Sequence, residues 1–149
     1  MNDSSSRASR LRSHGRVLKA LTKCAARPYR PIMAHVVVTR RCNLSCGYCH
    51  EYDKNSAPVP LDVLMGRVDH LHKLKTAIVT LTGGETLLHP DIIELVRYVS
   101  QLGMTPVMNS NAYLLNKDMV LGLNQAGLYA MQISIDNLEP NDVSMKSLR

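Results

Sequence analysis

At 149 residues and 45% hydrophobic content the chain is long enough to bury one core and too short for several domains. No apolar run approaches the roughly 20 residues of a membrane span, and no charged start leads into a signal-type apolar segment; the expectation is a cytoplasmic protein without a membrane span. The net charge of +6 is uneven, because residues 1–41 carry ten Lys or Arg against the single acid Asp3, whereas residues 42–149 carry eight against eleven.

Residues 1–30 read as a basic, Ser-rich N-terminal extension. A stretch so poor in acids could bind nucleic acid or another acidic partner, or act as a targeting peptide. The plainer reading is a solvated extension with a short helix around Val17, Leu18, Leu21 and Ala25. Cys24, alone in this segment, reads as a small buried residue rather than a ligand.

Residues 31–149 carry the core domain. Ile32 to Thr39 is a β-branched run without polar alternation, as expected of a strand buried on both faces. After a polar stretch with Pro58 and Pro60, the residues Leu61, Leu64, Met65, Val68, Leu71 and Leu74 recur at helical spacing, with Pro60 in the first turn. Ala77 to Leu81 reads as a second strand. Pro90 opens a helix with Ile92, Ile93, Val96 and Val99 on one face, ending near Gly103. Thr105 to Asn109 is a third strand, Asn116 caps a helix that stops near Gly127, and Ala130 to Ile135 is a fourth strand. Alternating βα units predict an α/β fold with a parallel sheet.

Three of the four cysteines, Cys42, Cys46 and Cys49, lie within eight residues of one another. Disulfides between such near neighbours would be strained or would close tiny loops, whereas three thiolates on one loop suit a metal centre. A structural zinc site with His50 as fourth ligand is one such centre. The rest of the polar pattern favours something larger. Cys42, Cys46 and Cys49 follow the first strand, Gly83, Gly84 and Glu85 the second, Ser110 and Asn111 the third, while Ser134 and Asp136 close the fourth. In parallel α/β folds the loops leaving the carboxyl ends of the strands converge on the active site. Taken singly, each of these groups also has a plain reading as a turn or strand terminus.

Together these residues resemble the radical S-adenosylmethionine (SAM) superfamily. Its C-x3-C-x-aromatic-C signature is matched by Cys42-Asn-Leu-Ser-Cys46-Gly-Tyr48-Cys49. Its Gly-Gly-Glu motif is matched by Gly83-Gly84-Glu85, and Ser110-Asn111 and Ser134-Ile135-Asp136 stand where relatives read Thr-Asn-Gly and Ser-Leu-Asp. Thr86 replaces a common Pro, and Ala112 and Asn137 replace common glycines.

The resemblance implies parallel (βα) repeats forming a truncated, partial TIM-like barrel, with about four strands present of the six expected and the core domain incomplete at its C-terminus. It implies a [4Fe-4S] cluster on Cys42, Cys46 and Cys49 with one iron left open for SAM. Tyr48 would lie by the adenine, and the Gly83-Gly84-Glu85 turn would receive the methionine amino group. Ser134 and Asp136 would contact the ribose or the methionine carboxylate, with Ser110 and Asn111 lining the same wall. The activity implied is reductive cleavage of SAM to a 5'-deoxyadenosyl radical that takes hydrogen from a substrate, with electrons from a low-potential flavodoxin- or ferredoxin-like donor. A cluster- and SAM-binding fragment without turnover is the alternative.

Overall fold

The computed structural model describes residues 14, 15, 18, 22, 30–50 and 52–148. Among residues 30–50 and 52–148 four strands and three helices alternate: β1 (Met33–Thr39), α1 (Leu61–Lys73), β2 (Ile78–Gly83), a 3-10 turn (Thr86–Leu88), α2 (Ile92–Gln101), β3 (Thr105–Ser110), α3 (Lys117–Ala126) and β4 (Ala130–Ile133). The strands form one sheet in the order β1-β2-β3-β4, parallel at every pairing.

Local sequence accounts for the boundaries. Pro60 is the N-cap of α1 and its fixed φ of −55° leads into the helix. Asn116 caps α3, its side chain accepting from Met119 N at 2.8 Å. Gly103 (φ 79°) and Gly127 (φ 95°) follow the ends of α2 and α3 in the left-handed region.

The parallel register aligns Val36, Leu81, Met108 and Met131 across the sheet. These side chains join Leu64 and Val68 of α1, Leu95, Val96 and Val99 of α2, and Leu123 and Ala126 of α3 in one apolar cluster. His89 closes its edge. The buried ring bonds Val59 O through Nε2 at 2.8 Å and accepts from Asp91 N on Nδ1 at 3.1 Å, so Nε2 carries the proton.

The expectation that the first strand is buried on both faces is corrected. Val36 and Val38 are in the core, but Val37 between them is 43% exposed and His35 is also exposed. The helices cover one face of the sheet, and alternate side chains point away from them. β4 likewise ends at Ile133, two residues short of the expected Ile135, which is itself exposed. In the N-terminal extension His14, Gly15, Leu18 and Thr22 are helical, with Leu18 65% exposed. Val17, Leu21, Cys24 and Ala25 lie outside the described residues. No helix among the described residues is long and apolar enough to cross a membrane.

Candidate cluster and SAM site

The site begins where β1 leaves the sheet. Its pairing with β2 shifts register between Val37 and Thr39, a local irregularity that redirects the chain just before Cys42. The excursion that follows is closed at its base, with Cys42 N donating to Asp53 O at 3.1 Å and Asp53 N donating to Arg40 O at 2.9 Å. Asp53 also orders the exit: its Oδ1 accepts from Asn55 N at 3.0 Å and Ser56 N at 2.7 Å, and its Oδ2 accepts from the Ser56 hydroxyl. The Ser56 bonds first, then Asn55 and Arg40, hold this carboxyl below the ordinary carboxylate range.

Cys42, Cys46 and Cys49 are free thiols on this one loop. Cys42 and Cys49 are half-buried and Cys46 is 5% exposed. Cys42 Sγ accepts from Leu44 N at 3.4 Å and lies 3.9 Å from Asn111 Nδ2, while Cys46 Sγ accepts from Met145 N at 3.4 Å. Cys49 N donates to Cys46 O at 3.1 Å. Burial raises the Cys42 thiol above its ordinary value, opposed by the Leu44 amide and by the charge of Lys54.

The turn after β2 is fastened to the start of this loop. Gly84 N donates to Thr39 O at 2.9 Å and Glu85 N to Arg41 O at 2.8 Å. A Cβ on Gly83 would collide with Thr39 O, and one on Gly84 with the carbonyl oxygens of Arg40 and Arg41, so both glycines are demanded by backbone meeting backbone. Glu85 is fully buried. Its Oε1 accepts from Leu87 N at 3.0 Å and the Ser110 hydroxyl at 2.7 Å, and its Oε2 accepts from Asn111 N at 2.8 Å, which couples the turns after β2 and β3.

Asn111 in turn reaches the cysteine loop, its Nδ2 donating to Asn43 Oδ1 at 2.8 Å. Ala112 holds the left-handed conformation (φ 66°) that a glycine would take more easily, its N–H donating to Ser110 Oγ at 2.9 Å. Ser134 is half-buried beside β3, with its N–H donating to Ser110 O at 3.0 Å. Asp136 lies further along: its Oδ2 accepts from the Tyr48 hydroxyl at 2.5 Å and the Ser144 hydroxyl at 2.6 Å. The structure therefore brings the cysteine loop together with the Gly83–Glu85 turn, Ser110, Asn111 and Asp136, while Ser134 stays beside β3 and His50 is exposed.

Four contributors escape a reading by motif. Lys54 spans the loop entry, and Ser144, Met145 and Lys146 lie against Cys46 and Tyr48. Lys54 and Ser144 lie in stretches with a local signal, since Asp53-Lys54-Asn55-Ser56 and Asn141-Asp142-Val143-Ser144 each place an Asp or Asn where its side chain closes a turn on the amides two and three residues on.

Residues 36–147 match the family model described as the radical SAM superfamily. The chain belongs to that superfamily. Members bind a [4Fe-4S] cluster and SAM, and the chain's relatives include enzymes of that superfamily. The GTP 3',8-cyclase of Microcystis aeruginosa is 36% identical over 68% of this chain and 33% of its own length. The AdoMet-dependent heme synthase of Methanosarcina barkeri is 33% identical over 70% of this chain and 32% of its own. The chain thus spans about a third of the length of these relatives. The crystal structure of BtrN in complex with AdoMet and 2-DOIA superposes with a TM-score of 0.63 at 19% identity, over 79% of this chain and 48% of that one. The parallel four-stranded sheet with alternating helices is the partial TIM-like fold of the superfamily.

The donor set suits the cluster. Three free thiols share one loop, and amide N–H groups already point at two of the sulfurs, as they do around thiolate-ligated iron. Among the described residues no three His, Cys, Asp or Glu side chains are gathered closely enough to hold a metal ion.

Proposed function

We propose that this radical SAM chain holds a [4Fe-4S] cluster through Cys42, Cys46 and Cys49, binds SAM beside it, and acts as a radical enzyme. The observation that supports this most strongly is the joining of three strand ends. Two backbone hydrogen bonds fasten the Gly83–Gly84–Glu85 turn to Thr39 and Arg41, and the Asn111 side chain reaches Asn43 in the cysteine loop. With three protein thiolates one iron stays open, and the bound pair supplies reductive cleavage of SAM to a 5'-deoxyadenosyl radical that takes hydrogen from a substrate.

The protein's share is to orient and to exclude water. In this reading Tyr48 lies along the adenine and the Gly83–Gly84 backbone meets the methionine amino group. Glu85 acts by holding that turn, because its carboxyl oxygens are already engaged by Leu87, Ser110 and Asn111. Ser110 and Asn111 form the wall beside it. Ser134 and Asp136 face the ribose or the methionine carboxylate, and Asp136 exchanges its bond with Tyr48 for one to the ligand. A low-potential flavodoxin- or ferredoxin-like donor supplies the electron, and the basic segment 1–30 is available to an acidic partner.

The test is anaerobic reconstitution with iron and sulfide, addition of SAM and a strong reductant, and quantitation of 5'-deoxyadenosine. Its formation supports the radical enzyme. A stable cluster that never cleaves SAM leaves only a cluster carrier, and a colourless protein containing zinc removes both.

A further inference from the structure

Lys54 lies outside every motif that identifies the family, and its ammonium reaches back over the mouth of the cysteine loop. The base of the loop is closed by the Cys42–Asp53 and Asp53–Arg40 backbone bonds, and the turn on the Asp53 carboxylate fixes the direction of the chain leaving it. From that position Lys54 Nζ donates to Cys42 O at 3.1 Å and to Leu44 O at 2.9 Å. An ammonium has three N–H donors and no acceptor, so two of the three are spent on the carbonyls of the residues on either side of Asn43. On the sulfur side the same short turn is closed by Leu44 N donating to Cys42 Sγ at 3.4 Å. Cys42 is thus gripped at both its carbonyl and its sulfur.

Charge adds to geometry. Those two bonds hold the Lys54 ammonium against the backbone of a proposed ligating residue. Taking one electron adds one negative charge to a cluster already ligated by thiolates, and a cation held beside a ligating residue favours that reduced state.

We propose that Lys54 is a positioning residue of the cluster loop, fixing Cys42 through the carbonyls of Cys42 and Leu44 and stabilising by its charge the reduced form of a cluster held there. This rests on the cluster reading above. The electron comes from the low-potential donor, no bond is made or broken by Lys54, and its charge is unchanged throughout.

The test compares the full chain with Lys54→Gln, which keeps an N–H donor and loses the charge, Lys54→Met, which loses both, and Lys54→Arg, which keeps both. Each is reconstituted anaerobically and poised at one fixed potential, and the reduced cluster is counted by electron paramagnetic resonance against total iron. The expected result is a reduced-to-oxidised ratio lower by about threefold to tenfold in the Gln and Met variants, with Arg within about twofold of wild type. A Gln variant that matches wild type overturns the role, as does one that loses iron while its remaining cluster keeps the wild-type ratio. If wild type and all three variants hold no cluster, the underlying reading fails and takes this role with it. That outcome is distinguishable because it does not follow the charge at position 54.

Discussion

The Tyr48 hydroxyl donates to Asp136 Oδ2 at 2.5 Å, joining the cysteine loop to the chain that follows β4 across 88 residues of sequence. Lys146 Nζ donates to the same hydroxyl at 2.7 Å and stands 4.0 Å from Asp136. Around this contact the segment after β4 lies over the loop: Gly47 N donates to Val143 O at 3.0 Å, and Met145 N donates to Cys46 Sγ. The Tyr113 hydroxyl pins the far end, lying 3.1 Å from the carbonyl oxygens of both Met145 and Ser147.

Tyr48→Phe removes the shared hydroxyl and keeps the ring. Because Tyr48 is 45% exposed, the loss is expected to be about 1 kcal/mol, near the ordinary net worth of a hydrogen bond. The segment then opens more often, and in the cluster-free chain iodoacetamide should label Cys46 about fivefold faster. Mass spectrometry of the labelled peptides, with Cys42 as internal reference, reads this directly. An unchanged Cys46 rate would mean that the cover does not depend on Tyr48.

The same contact predicts a pH dependence. The Ser144 and Tyr48 bonds, with a smaller push from Lys146, hold the Asp136 carboxyl below its ordinary value. A carboxyl lowered on folding stabilises the fold above its unfolded value and ceases to do so as pH falls through the folded one. Protection of the Gly47 and Met145 amides in hydrogen exchange, referred to intrinsic rates, should therefore decline below the ordinary carboxylate range. Asp136→Asn should flatten that decline.

Glu85→Gln tests the coupling of the turns after β2 and β3. A Gln amide has one acceptor where three donors now converge, and its NH2 faces the Asn111 N–H or the Leu87 N–H. Leaving a buried donor unpaired is expected to cost about 2 to 3 kcal/mol, measured by urea denaturation. A loss under about 0.5 kcal/mol, the range of a neutral surface change, would show that the carboxyl is not holding the turns.

Ala112→Gly should stabilise the chain. A left-handed alanine is strained by about 1 to 2 kcal/mol, part of which returns as the greater freedom of glycine in the unfolded chain, so a net gain of roughly 0.5 to 1 kcal/mol is expected. Ala112→Val should move the midpoint the other way. If glycine destabilised the chain, the φ of 66° would not be the conformation in solution.

Much of this arrangement is written locally. Asn116, Gly103 and Gly127 mark helix ends through their own backbone preferences, and the motif residues fall at strand ends because a βα step has a regular length. The open face at Val37 is not local, since an unbroken apolar run carries no information about whether a second layer covers it. Gly83 and Gly84 read as a turn at a strand end, but the neighbour that demands them, the Thr39–Arg41 backbone, comes from another strand. The resemblance gives Glu85 to the turn that receives SAM, and only its burial beside Ser110 and Asn111 reveals a carboxyl turned inward. Ser144 and Lys146 sit in an irregular stretch without periodicity, and only their contacts with Cys46 and Tyr48, far away in sequence, show that they cover the cysteine loop.

In the proposed function Cys42, Cys46 and Cys49 together hold a cluster with one open iron. The most direct measurement is the iron and sulfide content and the Mössbauer spectrum of the anaerobically reconstituted full chain, with and without SAM. The expected result is about four irons and four sulfides per chain, one iron changing its signal when SAM is added, and loss of the intact cluster in Cys46→Ser. A chain that holds less than about one iron, or a cluster indifferent both to SAM and to Cys46, would contradict it.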